Sequence, residues 1–154
     1  MKQKYIDLYM DWAKRAAELS YARRLHVGAV IVKDDSVISY GYNGMPAGWD
    51  NNCEDESVEL YSGFEGAIHR TVLKTKPEVL HAESNAIAKL ARSHNSGLGA
   101  DLFITHSPCI DCAKLIYQSG IKRVFFGESY RDNAGVDFLL KSNIEVVQVG
   151  VKND

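Results

Sequence analysis

The spacing of apolar positions changes from segment to segment along the chain. Over residues 3–19, Ile6, Tyr9, Met10, Ala13 and Ala17 fall on one face, which predicts an amphipathic helix. VGAVIV (27–32) is a continuous, β-branched run, as expected of a strand covered on both sides. Asp34-Asp35 marks a turn and VISYGY (37–42) a second strand, so the two predict a hairpin. Residues 43–66, rich in Gly, Asn and Asp and holding Pro46, read as a long loop, and loops of that length in a compact domain tend to be functional.

Beyond that loop, strands and helices alternate. Residues 81–94 predict a helix with Ala82, Ala86, Ile87 and Leu90 on one face. LFIT (102–105) is a strand, 109–119 a short helix closed by Gly120, VFFG (124–127) a strand, 135–142 a helix, and IEVVQV (144–149) a last strand. Such alternation predicts parallel neighbours with helices packed on the sheet. The expected fold is α/β: a three-layer α/β/α sandwich on a mixed sheet of about five strands. No repeat, linker or low-complexity tract divides the chain, so one domain over residues 1–154 is expected.

Composition narrows the class. The 154 residues are 45% hydrophobic and 25% charged, the balance of a globular protein and not of a disordered or fibrous one. The apolar runs are far shorter than the roughly 20 residues of a membrane span, and MKQKYIDLYMDWAKR has no unbroken apolar stretch of a signal peptide. A cytoplasmic placement is expected, in the host's cytoplasm for a viral chain. With 18 Lys and Arg against 20 Asp and Glu, there is no bulk basic field for long nucleic acid. Three cysteines are an odd number in a chain of this size, which turns attention from disulfides to metal binding or catalysis.

Candidate chemistry sits at the start of two predicted helices, in His81-Ala82-Glu83 and Pro108-Cys109-Ile110-Asp111-Cys112. A Cys-x-x-Cys turn puts two thiols on one side, and free backbone amides at a helix N-terminus favour the thiolates. Taken alone, the pair could equally be buried thiols or a redox couple, and His-x-Glu alone a surface pair. Together His81, Cys109 and Cys112 make a three-ligand set suited to zinc, with the fourth position left for water, as in catalytic sites. Glu83, two positions past a ligand, can reach that water and take its proton without binding the metal.

At these residues the chain resembles the zinc-dependent cytidine deaminase superfamily, whose signature is H-x-E followed by P-C-x-x-C. HVGAVIVKDD (26–35), GYNGMPAG (41–48), HAESNAI (81–87), SPCIDCAKLIYQSGIKRV (107–124) and Tyr130 are similar, in order, to the deoxycytidylate deaminase branch. The resemblance implies hydrolysis of dCMP to dUMP and ammonia, feeding dTTP synthesis. It gives one catalytic zinc to His81, Cys109 and Cys112, and makes Glu83 the acid/base that serves N3 of cytosine and the departing amine. It implies that Asn43 contacts the sugar and that Tyr130 lies near the substrate phosphate. Ser107 is a nucleotide-binding residue on this reading. Bland readings stand beside these: a turn Asn, packing at the sheet edge, a helix cap.

The resemblance further implies activation by dCTP and inhibition by dTTP, assisted by Mg²⁺, across a homohexamer. The effector loop would be built on Gly44, Ala47 and Gly48, where bare backbone amides can approach phosphate. Ala47 stands where many relatives carry a basic residue. Some phage relatives hold a second, structural zinc; Cys53, His69 and His94, with His26 and His106, are the spare candidates here, and no four-ligand set is evident. The competing readings are a tRNA adenosine deaminase, a deaminase of free or other cytosine nucleosides and nucleotides, and a structural zinc module. The acidic balance opposes the first, Leu80 before His81 with the long 43–80 segment the second, and the want of a role for Glu83 the third.

Overall fold

A computed structural model describes residues 1–63, 65–130 and 132–150; the last four residues of the expected domain, 151–154, lie outside the described residues. The elements in chain order are α1 (Gln3–Ala17), β1 (Gly28–Lys33), β2 (Ser36–Tyr42), β3 (Glu54–Gly63), β4 (Gly66–Thr75) and α2 (Ala82–Ala91). They continue with β5 (Asp101–His106), α3 (Ile110–Gln118), β6 (Arg123–Glu128), α4 (Ala134–Lys141) and β7 (Glu145–Gln148).

The main sheet has five strands in the order β2-β1-β5-β6-β7. β1 is antiparallel to both β2 and β5, whereas β5, β6 and β7 run parallel. Both expectations, a hairpin first and parallel crossovers after it, are met. Asp34 and Asp35 turn the hairpin with φ of +50° and +57°, a conformation that short polar side chains tolerate. Gly120, at φ +82°, ends α3 as expected.

Helices cover both faces of the sheet. Tyr9, Met10 and Ala13 of α1 pack on Val30, Val32, Phe103 and Phe125, with the Phe103 and Phe125 rings stacked at 4.7 Å. The opposite face buries Ala29, Ile31, Leu102, Ile104 and Val124 against α2, α3 and α4, through Ala86, Leu90, Ile116 and Leu139. Successive residues of β1 and β5 therefore point into different cores, and this two-sided burial is why their sequences are unbroken apolar runs.

The loop expected over 43–66 is corrected by the structure. Its second half is a strand, β3, paired in register with β4 from Glu54↔Thr75 to Gly63↔Gly66 in a separate two-stranded sheet. Val58, Leu60, Tyr61 and Ile68 are all exposed on it. A ribbon wet on both faces satisfies its backbone by its own cross-strand bonds and needs no core-facing alternation.

Candidate active site

Parallel strands β5 and β6 both end at one edge of the sheet, the place where open α/β sheets gather their ligands. His106 closes β5 and runs into Ser107-Pro108-Cys109; Glu128 closes β6 and runs into Ser129-Tyr130. α2 begins at the same edge, pressed on β2 because Gly41 has no side chain: a Cβ there would lie 2.3 Å from the Ala82 carbonyl oxygen. Asn85 Nδ2 donates to the Tyr42 carbonyl at 2.8 Å and Ser39 Oγ to that of Ala86 at 2.7 Å, fixing the helix on the strand.

His81 is the N-cap of α2 and Cys109 the N-cap of α3, both in extended backbone. Cys112 lies one turn into α3. His81 Nδ1 is 3.5 Å from Cys109 Sγ and 3.4 Å from Cys112 Sγ, and the three donor atoms lie within 4.8 Å of one another. Tetrahedral zinc with bonds of about 2.3 Å to sulfur and 2.0 Å to nitrogen has N···S edges of roughly 3.5 Å. The donors fit a zinc ion in both spacing and chemistry. Among the described residues they are the one group of three or more His, Cys, Asp or Glu so placed; Cys53, His69, His94, His26 and His106 form no second set.

The electrostatics favour a thiolate. A hydrogen bond with Cys112 lowers Cys109 to about 4, with His81 adding to the effect. Cys112 is raised in turn, by that bond and by burial. His81 is raised chiefly by its bond to Cys109. Glu83 is 4% exposed, and burial pushes its carboxyl up to about 7.

A cavity of about 330 Å³ opens on this cluster, within the usual range for small-molecule sites. His81, Cys109 and Glu83 line it, as do Asn43, Ser107 and Tyr130. Asn43 spends much of its amide locally: Oδ1 accepts from Val27 N–H at 2.9 Å and Nδ2 donates to the Leu25 carbonyl at 2.8 Å. Ser107 does not cap α3; its Oγ accepts from Tyr130 N–H at 2.6 Å, while its own N–H donates to Glu128 at 2.8 Å. That bond seats the half-exposed Tyr130 at the cavity wall.

Gly44, Ala47 and Gly48 do not line this cavity. Both backbone groups of Gly44 pair with Leu80, at 3.0 and 2.8 Å, and Gly48 sits in a turn at φ +85°. The cavity is also lined by residues with no local sequence signature: Arg24, Glu54, Thr75, His106 and Glu128.

Comparison with known proteins agrees with this geometry. The family described as cytidine and deoxycytidylate deaminase zinc-binding region matches residues 3–128. The chain belongs to this family. It is 38% identical to the deoxycytidylate deaminase of Enterobacteria phage T4, over 82% of this chain and 80% of that protein. The human deoxycytidylate deaminase is 35% identical over 82% of this chain and 71% of its own. A crystal structure of dCMP deaminase from cyanophage S-TIM5, in complex with dCMP and dUMP, superposes with a TM-score of 0.83 at 39% identity. That match covers 97% of this chain and 99% of the other. The deaminase family's zinc chemistry thus has its donor set here in His81, Cys109 and Cys112.

Proposed function

We propose that this deaminase hydrolyses dCMP to dUMP and ammonia. The observation that carries the reading is Glu83, a carboxyl buried on the wall of a nucleotide-sized cavity beside the three donors that would hold a zinc ion. His81, Cys109 and Cys112 hold the metal, which when bound polarises a water so that it is a competent nucleophile near neutral pH. Glu83 takes a proton from the attacking water and delivers it to N3 of the cytosine ring as the C4–O bond forms. It then moves the remaining hydroxyl proton to the exocyclic nitrogen. The C4–N bond breaks, ammonia leaves and uracil is formed. Asn43 orients the sugar with the amide proton it does not spend on Leu25, and Ser107 and Tyr130 border the rest of the nucleotide.

Regulation belongs to the same reading: activation by dCTP and inhibition by dTTP with Mg²⁺, in a homohexamer, with dUMP passing toward dTTP synthesis in the cytoplasm. What supports it is the GYNGMPAG segment, whose Gly44 is bonded on both sides to Leu80, the residue before His81. A triphosphate that shifts this loop pulls directly on a zinc donor. Leu115 and Tyr117 stand exposed on α3, apolar surface of the kind that self-association covers. No helix among the described residues is long and apolar enough to cross a membrane.

Ammonia release from dCMP, cytidine, deoxycytidine and a tRNA anticodon stem, each with and without dCTP and Mg²⁺, tests both layers. Turnover of dCMP raised by dCTP is the expected result. Equal turnover of the unphosphorylated nucleosides discards the nucleotide assignment, and saturation curves unmoved by dCTP and dTTP discard the regulation.

A further inference from the structure

Helix α1 has more apolar surface than its own chain covers. Tyr9, Met10, Ala13, Ala16 and Ala17 are its buried residues. Tyr5, Leu8 and Trp12 are exposed, Leu8 by 52% and Trp12 by 46%, and Met1 and Leu19, also exposed, continue the same spacing just beyond the helix ends. Steps of three, four and seven residues keep these five side chains on one stripe, within roughly 60° of arc at about 100° per residue. Buried and exposed apolar positions together span about 200°, twice the stripe that one core-facing side requires. Lys4, Asp11 and Arg15 border the stripe, and neither Lys4 nor Asp11 has an ion pair among the described residues.

We propose that this stripe is an interface with a second copy of the chain, the two α1 helices packing antiparallel about a two-fold axis that passes beside Leu8. The proposal rests on the self-association reading above and names a second surface for it, since a hexamer with two-fold axes needs more than one kind of contact. What commits the stripe to its own copy is charge. In a two-fold contact, if one residue meets a second on the partner, the second meets the first in return. An axis between residues 7 and 8 sets Lys4 beside the partner's Asp11 and Asp11 beside the partner's Lys4, two ion pairs on one border of the seam. The same register lets Tyr5, Leu8 and Trp12 fall between the partner's stripe residues and not on top of them, as interlocking helices require. Flanking pairs of this kind decide which way two helices run. A lipid surface would instead call for a basic border; Asp11 interrupts it, and Asp7 and Glu18 lie on the remaining polar face. With 15 residues α1 is about 22 Å long, too short to supply alone the roughly 800 Å² per partner of a stable interface. It therefore acts together with the α3 surface in one closed assembly.

The test reads assembly mass by sedimentation equilibrium, with zinc content and far-UV circular dichroism on the same preparations. Leu8→Glu places two like charges at the axis, and the mass falls to about half or less with zinc and helicity retained. Asp11→Lys sets a second cation beside the partner's Lys4 and raises the dissociation constant by roughly tenfold, the size of two exposed pairs turned repulsive. Adding Lys4→Asp restores both pairs with their signs exchanged and returns the constant to that of the unaltered protein. This exchange of surface charges keeps the test decisive if Leu8→Glu disturbs the fold. A mass unmoved in a folded Leu8→Glu overturns the α1 contact and leaves self-association to other surfaces. Failure of Lys4→Asp to rescue Asp11→Lys overturns the antiparallel register. Pelleting of the unaltered protein with phosphatidylserine vesicles, lost in Leu8→Glu at constant mass, gives the stripe to a membrane and overturns the proposal as well. A monomer at every concentration of the unaltered protein instead removes the self-association reading itself.

Discussion

Gly135 of α4 sits against the carbonyl of Pro108 so closely that a Cβ on it would lie 2.1 Å from the Pro108 oxygen and 2.8 Å from the Cys109 carbonyl carbon and oxygen. Every atom in the way is backbone, so relief requires moving the segment that presents Cys109. Two effects oppose each other in Gly135→Ala. Helix propensity favours alanine by up to about 1 kcal/mol, while overpacking a close contact costs about 1–3 kcal/mol and displaces a zinc donor. The clash prevails on these magnitudes. Lower Tm and lower zinc content after dialysis against a weak chelator are the expected outcomes; a more stable variant with full zinc would show that α4 yields instead.

At the opposite end of β5, Asp101 and Arg123 are a cross-strand pair joined by two bonds of 2.8 Å, Nε to Oδ1 and Nη2 to Oδ2. Asp101 is buried, so Arg123→Met strands an acid in the sheet and costs about 3 kcal/mol, the low end for a broken buried pair because Arg123 is itself partly exposed. Asp101→Asn added to Arg123→Met removes the stranded charge and recovers part of the loss. Urea denaturation of the single and double variants reads the difference, and a double variant less stable than Arg123→Met overturns the account.

The parts of this protein that were legible in the sequence share a physical cause. VGAVIV, LFIT and VFFG are unbroken apolar runs because β1, β5 and β6 are buried on both faces, and the zinc donors stand out because helix N-termini impose short, fixed spacings. Neither signal exists for β3 and β4. Val58 and Leu60 face water, so their alternation points to no core. Arg24 meets Glu54 across 30 residues and Thr75 across 51, contacts created by the hairpin and by no local pattern. The alternation of Val58, Leu60, Ile68 and Val72 with polar neighbours was the one available hint of that hairpin.

Cys53 bears on metal content. Its thiol is 1% exposed, packed with Ala22 and Val79, and raised chiefly by burial. A buried, protonated thiol away from other donors is a small core residue. Cys53→Ala therefore keeps one zinc per chain and costs stability of about 1 kcal/mol through the small void it leaves. Elemental analysis finding two zinc ions in the unaltered protein and one in the variant would make Cys53 a ligand.

Glu83 separates metal binding from proton transfer. It is not among the three donors that surround the metal position, so Glu83→Gln, an amide of the same shape in a buried slot, leaves both the fold and the zinc stoichiometry in place. What it removes is the group that moves protons between water, N3 and the leaving amine. Positioned acid/base groups contribute about 10²- to 10⁴-fold, so kcat on dCMP falls by at least about a hundredfold. Metal analysis and turnover on the same preparation give the answer. Full zinc with a rate within about tenfold of the unaltered enzyme would move the proton chemistry away from Glu83, whereas lost zinc would mean that the carboxyl holds the donor helices in place.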